Sequence, residues 1–233
     1  MSKIHIGFTD ENIFNDKSTH PKLIRNNKPN WFINIKKNLY TETPFGKQKI
    51  KNVKSCPSFV DMFNNGVVVY APTDIKLFVD QEKGLRHFEL PYNSNTYFIT
   101  DHANEQFINH LPKNSRYKYI FKIVLPLAIF TDKGFSSYQY QYPYSLNNDF
   151  EVLFGQFETD KIHETNLQIA YTSNKKEIII KKGTPLAVYV PFRRSKLQLK
   201  IFNLNKNKKY KNIYNRQNFK LNSKFDNYYK DLF

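Results

Sequence analysis

The residues of this chain that could do chemistry fall into four polar groups. The first is Asp101-His102-Ala103-Asn104-Glu105, with His110 downstream and His87 upstream. Imidazoles and carboxylates that converge in twos or threes hold metal ions, and a metal reading pairs His102 and Glu105 with His87 or His163. The chain meets none of the common zinc or calcium spacings, so the expectation is no metal and no cofactor. The second group is Asp160-Lys161-Ile162-His163-Glu164-Thr165, where His163 beside acidic residues could act as a base near neutral pH and Asp160 is its candidate companion. No nucleophile stands next to them in sequence, and a polar loop between strands explains the same residues.

The third group joins Lys181-Lys182-Gly183-Thr184-Pro185 to Pro191-Phe192-Arg193-Arg194. If the ends of adjoining strands bring the two basic pairs together, Lys181, Lys182, Arg193 and Arg194 could receive a phosphate or carboxylate. The glycine pattern of a Walker A loop is absent, and a basic turn is the plain alternative. The fourth group is the C-terminal run of Lys206, Lys208, Lys209, Lys211, Arg216, Lys220 and Lys224, interleaved with aromatic residues. Cations bind phosphates and exposed rings stack on single-stranded bases, so this run suits nucleic acid. It suits docking on the chain's own core or on an acidic protein equally well.

The elements that must position these groups read as strands. A chain of 233 residues with 21 Phe, 16 Tyr, seven Gly and two Met favours sheets packed through rings over a helical bundle. The formal net charge of +16 would draw polyanions and says nothing about fold. Cys56 stands alone, forms no internal disulfide and fits a reducing compartment. The first residues lack the apolar core of a secretory signal, and the longest apolar run, Ile120 to Phe130, is interrupted by Lys122 and Pro126. The expectation is a protein of the host cytoplasm or of a virion, without membrane insertion.

Alternating apolar residues, or runs of β-branched and aromatic ones, predict strands over Lys3–Phe8, Trp31–Lys36, Val67–Tyr70, Ile75–Val79, Leu85–Leu90, Thr96–Thr100, Tyr117–Phe130, Ser136–Tyr144, Phe150–Phe157, Leu167–Tyr171, Ile178–Ile180, Leu186–Val190 and Leu197–Ile201. Pro72-Thr73-Asp74 reads as a hairpin turn, Thr41–Lys54 as a loop, and Pro126 as the mark of an edge, a bulge or a new strand. So many short strands without long helices predict an all-β fold, a β-sandwich or jelly roll over residues 1–203. Residues 204–233 hold eight Lys or Arg against two Asp, with seven Tyr or Phe. Tyr210, Tyr214, Leu221, Phe225, Tyr228 and Leu232 recur at a helical period, which predicts a basic, partly helical C-terminal extension docked through its rings.

Several short motifs resemble an uncharacterised family encoded by marine and other tailed bacteriophages. They are Ser55-Cys56-Pro57-Ser58-Phe59 opening an early β segment, Val67 to Asp74, Leu125-Pro126-Leu127, Lys133-Gly134-Phe135-Ser136, Phe154-Gly155 to Asp160, and above all Gly183-Thr184-Pro185-Leu186 leading to Pro191-Phe192-Arg193-Arg194. The resemblance spans about Trp31 to Phe233 and implies phage origin without a settled chemistry. Gly155 to Phe192 also faintly resembles the trimeric dUTPase and dCTP deaminase group, where an acidic turn precedes a strand and a Gly-containing turn. No Tyr-Arg-Gly follows Asp160, and only Asp160 carries over.

The first-ranked expectation is a phage accessory or structural protein that works through a protein partner or self-assembly rather than as an enzyme. Two alternatives stand beside it: a nucleotide- or small-molecule-processing enzyme, and a nonspecific nucleic-acid-binding accessory protein using the C-terminal lysines.

Overall fold

The structure is a computed structural model that describes residues 3–36, 38–50, 52–80, 82–91, 94, 96–145 and 147–215. Its strands are β1 (Ile4–Phe8), β2 (Lys22–Leu23), β3 (Leu39–Thr43), β4 (Gly46–Ile50), β5 (Val67–Tyr70), β6 (Ile75–Asp80), β7 (Leu85–Glu89), β8 (Phe98–Asp101), β9 (Tyr119–Thr131), β10 (Phe135–Gln141), β11 (Phe150–Val152), β12 (Gly155–Phe157), β13 (Glu164–Tyr171), β14 (Glu177–Ile180) and β15 (Pro185–Arg193). Short helices accompany them, among them α1 (Glu11–Asn15), α2 (Asn30–Asn34) and α3 (Pro57–Met62). The fold is all-β, as the alternation predicts. Among the described residues no helix is long and apolar enough to cross a membrane.

The chain groups into two compact units. One takes the residues up to Pro29 with Asn64–Arg194, the other Asn30–Phe63 with the segment from Ser195 onward. The larger unit holds a sheet ordered β1-β9-β13-β11 with β8 also on β9, a second sheet ordered β12-β10-β15-β5-β2, and a third ordered β14-β6-β7. Inward residues of all three form one core, with Val69, Ile75, Leu77, Phe121, Ile123, Leu167, Ile169, Tyr171 and Leu186 at its centre. Full burial of each such side chain contributes about 1.5–3 kcal/mol. One polar pair lies among them, where the Tyr189 hydroxyl donates to Gln139 Oε1 at 2.5 Å.

Pro126 shows how the sheet accommodates a residue without a backbone donor. On one edge of β9 the pairing with β8 ends at Val124 and the pairing with β1 begins at Leu127. On the other edge the register with β13 shifts between Glu164 and Asn166: β9 bulges, with Leu125, Pro126 and Leu127 opposite the single residue Thr165. Its hydroxyl donates to the Leu127 carbonyl at 2.8 Å, and Thr9 N–H donates to the Pro126 carbonyl at 3.0 Å.

β5 and β6 are not a hairpin. All four residues of β5 are buried, because it lies between β15 and β2, whereas β6 alternates and pairs with β14 and β7. Pro72-Thr73-Asp74 therefore carries the chain from the second sheet to the third, and Lys181–Thr184 carries it back. The two crossings are stapled together: Ala71 N–H donates to Thr184 O at 2.9 Å and Gly183 N–H to Ala71 O at 2.8 Å. Asp74 accepts from the Lys182 N–H and from Lys181 Nζ, each at 2.8 Å.

Four other expectations give way within the smaller unit. Trp31–Lys36 is not a strand, since α2 buries Phe32 against Phe63 and leaves Ile33 54% exposed, the reverse of the alternating reading. Thr41–Lys54 is not a plain loop. β3 and β4 pair from Leu39 with Ile50 to Thr43 with Gly46, and their exposed faces carry no apolar alternation to read. Cys56 caps the start of α3, with Pro57 at the first helical position, rather than opening a β segment. Leu197, Leu199 and Ile201 alternate but join no strand among the described residues, and they stand 93%, 83% and 86% exposed. Residues 208–215 are helical, while Arg216, Lys220, Lys224 and the helical period beyond them lie outside the described residues.

Candidate functional site

The second and third polar groups meet at one end of the larger unit. Asp160 is clasped by Arg194 through two parallel bonds, Nη1 to Oδ1 at 2.7 Å and Nη2 to Oδ2 at 2.5 Å. The Gly134 N–H adds a third bond at 2.8 Å, and the carboxyl is only 5% exposed. Arg194 Nη1 also donates to Phe135 O and to Ser136 Oγ. Below the clasp, Thr159 Oγ1 links Thr131 Oγ1 at 2.8 Å to Ser137 Oγ at 3.0 Å. The Arg194 guanidinium, then the Gly134 amide, hold the Asp160 carboxyl far below the usual carboxylate range. An acid so engaged takes no proton at neutral pH; it closes the turn into β10 against the loop before β13.

Asp160→Asn is therefore expected to lower the melting temperature at neutral pH by about 4–10 °C, because it leaves Arg194 half-satisfied. Thermal unfolding measures this. The gap between variant and wild type narrows in acid: a depressed carboxyl stabilises above its ordinary value of 3.8 and loses that contribution as pH falls toward its folded value. An equal gap at all pH values would refute the clasp.

His163 has a different status. Its Nδ1 lies 3.1 Å from Thr159 O and 3.2 Å from Ile129 O. Both partners are acceptors, so Nδ1 carries the proton and donates, which leaves the lone pair on Nε2. The ring stacks on Phe130, centroids 4.2 Å apart and planes at 29°. The following residue, Glu164, lines a depression of about 230 Å³ together with Thr9, Thr96, Val124, Leu125, Leu127 and Ala128. This hollow lies where β8 and β1 part along β9. Glu164 Oε2 accepts from Asn166 Nδ2 at 2.8 Å, while Asn166 Oδ1 is buried without a partner. Composition and spacing gave no sign of Asn166; the one signal for the hollow was Pro126 inside a long apolar run.

The first group does not join this site. Asp101 pairs with Arg86 Nε at 2.7 Å, His102 Nδ1 meets Gln106 Oε1 at 2.8 Å, and the Glu105 carbonyl meets His110 Nε2 at 2.9 Å. Asp101 lies opposite Phe121 of β9, whereas the His163 carbonyl accepts from Ile129, eight residues along. At ~3.3 Å per residue that is about 26 Å. His87 is on β7, its Nε2 3.7 Å from Glu89 Oε1. Among the described residues no three His, Cys, Asp or Glu stand together as a metal ion would need.

Nor do the two basic pairs meet. Lys181 and Lys182 precede β15 and pair with Asp74 and Asp16, at 2.8 and 2.5 Å, while Arg193 and Arg194 are at its far end. Lys182 and the Ser18 side chain lower Asp16 to about 2. Of these four cations, Arg193 makes no ion pair among the described residues. Lys206, Lys208, Lys209 and Lys211 are exposed, with Lys209 Nζ 5.8 Å from the Tyr210 ring centroid.

No family model matches the chain, and no curated protein resembles it in sequence. Solved structures match it at low sequence identity and low TM-score. The EIAV dUTPase has a TM-score of 0.35 at 10% identity, over 62% of this chain and 88% of that one. The dUTPase of Staphylococcus bacteriophage 80alpha has 0.37 at 7%, over 86% and 96%. The dUTPase from phage phi11 of S. aureus has 0.33 at 9%, over 60% and 83%. All three are dUTPases by name: they are not of the kind named by the first-ranked expectation, an accessory or structural phage protein, and are of the kind named by its nucleotide-processing alternative.

Proposed function

We propose that the chain processes a nucleotide or another small molecule, with His163 taking the proton of an attacking water at Nε2. The observation that carries this reading is the fixed tautomer: two backbone carbonyls hold the proton on Nδ1, so the free lone pair has one orientation before any substrate arrives. Preorganisation of this kind spares the rotation that an unanchored imidazole must make. The hollow beside Glu164 takes one end of the substrate. The Asp160–Arg194 clasp keeps the loop that bears His163 in place.

Release of phosphate or of free base from a panel of nucleoside and deoxynucleoside triphosphates tests the proposal. His163→Asn keeps a side-chain donor near the Nδ1 position and removes Nε2. The expected result is turnover by the wild type and a fall of about 100-fold or more in His163→Asn, within the usual range for loss of a general base. Absence of turnover across the panel, or full activity in the variant, would overturn it.

A further inference from the structure

One edge of the first sheet is open. β1 is an outer strand beside β9, and the direction of its backbone groups follows from the ladder. Thr9 continues that ladder opposite Pro126, and its N–H donates to the Pro126 carbonyl at 3.0 Å, so Thr9 faces β9. Residues of an antiparallel pair face the partner by turns, so Gly7 and His5 also face β9, while Phe8, Ile6 and Ile4 present their N–H and C=O groups to the other side. The bonds of β9 agree. The N–H groups of Ile129 and Thr131, opposite Ile6 and Ile4, donate away from β1, to His163 O and Thr159 O. Among the described residues no second strand pairs with β1, and no hydrogen bond reaches the outward groups of Ile4, Ile6 and Phe8. A hollow of about 490 Å³ runs beside the strand from Ile6 to Glu11 and Phe14, which leaves the edge accessible. The side chains of Ile4, Ile6 and Phe8 pack on the core, and Ile4–Phe8 holds no Pro, Lys or acid of the kind that guards a free edge.

We propose that this edge pairs with the same edge of a second copy of the chain, the two β1 strands running antiparallel about a two-fold axis at Ile6. The edge is complementary to itself. With Ile6 opposite Ile6, Ile4 of each copy stands opposite Phe8 of the other, and every outward N–H meets a carbonyl. Residues directly opposite share a face, so the side chains that pack on the core stay on one side across both copies. Charge points to the same partner. Lys3 precedes the strand and Asp10 and Glu11 follow it, so the pairing sets Lys3 of each copy opposite Thr9 of the other, next to both acids, at each end of the ladder. Lys3 and Glu11 are exposed, and among the described residues neither is in an ion pair. A parallel arrangement would set lysine beside lysine.

Sedimentation of the full-length protein over a concentration series tests this. The wild type is expected to move between a monomer of 27.8 kDa and a dimer of twice that mass. Ile6→Pro removes an outward N–H and no bond within the chain, at a place where edge strands accept proline; it is expected to stay monomeric with wild-type circular dichroism. Lys3→Glu alters an exposed residue ahead of the strand and leaves the fold intact. It is expected to weaken the dimer about tenfold, and Glu11→Lys in the same chain to restore it. If Ile6→Pro fails to fold, the charge pair decides alone. A wild type that stays monomeric at its highest soluble concentration would overturn the proposal. So would a dimer, or a larger assembly, that Lys3→Glu and a folded Ile6→Pro leave at wild-type strength.

Discussion

Raising the pH from about 10 to about 12 is expected to unfold the protein cooperatively, with phenolate absorbance and loss of far-ultraviolet circular dichroism rising together. Burial pushes the phenols of Tyr70, Tyr142 and Tyr171 up to about 12, with smaller contributions from Tyr142 at Tyr70 and from Asp149 and Glu177 at Tyr171. Burial raises Tyr189, bonded to Gln139 inside the core, further still. In the unfolded chain each phenol ionises near 10.0. The folded state therefore prefers the protonated form, and this contribution is complete below pH 10 and disappears as pH climbs through the folded values. Each of the three phenols at about 12 forfeits about 2 kcal/mol by that pH, and the sum of about 6 kcal/mol is comparable to the whole stability of a typical domain. A gradual rise of phenolate with unchanged circular dichroism through pH 12 would mean that these hydroxyls reach water without unfolding.

Gly66→Ala is expected to cost about 3–5 kcal/mol, a fall in melting temperature of about 6–15 °C. Gly66 has φ +125°, in the region that L side chains rarely adopt. A Cβ there would meet Val188 Cγ1 at 2.7 Å, Val190 Cγ2 at 2.9 Å and the Tyr189 carbonyl at 3.0 Å. The side chains can shift a little, but the carbonyl belongs to β15, between β10 and β5, and moving it disturbs two ladders. Gly183 separates the two causes. Its φ is +79° and nothing lies within 4 Å of its Cβ position, so Gly183→Ala meets the conformational cost alone, about 1–2 kcal/mol. Chemical denaturation of both variants measures the difference; equal losses would remove the steric part of the explanation.

What the sequence disclosed depended on whether a strand shows one face or two. β6, β10 and β13 alternate because one side is buried and the other is not, and they lie where the period of two places them. The Val67–Tyr70 run named a strand but not its neighbours: burial on both faces erases the alternation from which a sheet edge is inferred, and β5 was joined to β6 when its partners are β15 and β2. Polar β3 and β4 were invisible for the opposite reason, since neither face is apolar. Leu197–Ile201 alternated without a partner, because a pattern supplies a face and cannot supply what covers it.

The site divided along similar lines. His163 and Asp160 were legible as residues with chemical capacity, but sequence proximity suggested that they cooperate. Asp160 instead belongs to Arg194, thirty-four positions away, and His163 to two main-chain carbonyls.

The staple between the two sheet crossings also sets an order of events during synthesis. Asp74 waits for Lys182, 108 residues later, and β5 waits about as long for β15. At ~5–20 residues per second a ribosome takes on the order of 5–20 s to deliver that partner. Throughout that interval Val67-Val68-Val69-Tyr70 emerges as an apolar strand flanked at most by two-residue β2. The newborn chain is thus most prone to aggregate before β15 leaves the exit tunnel, and shielding by a chaperone matters most in that window.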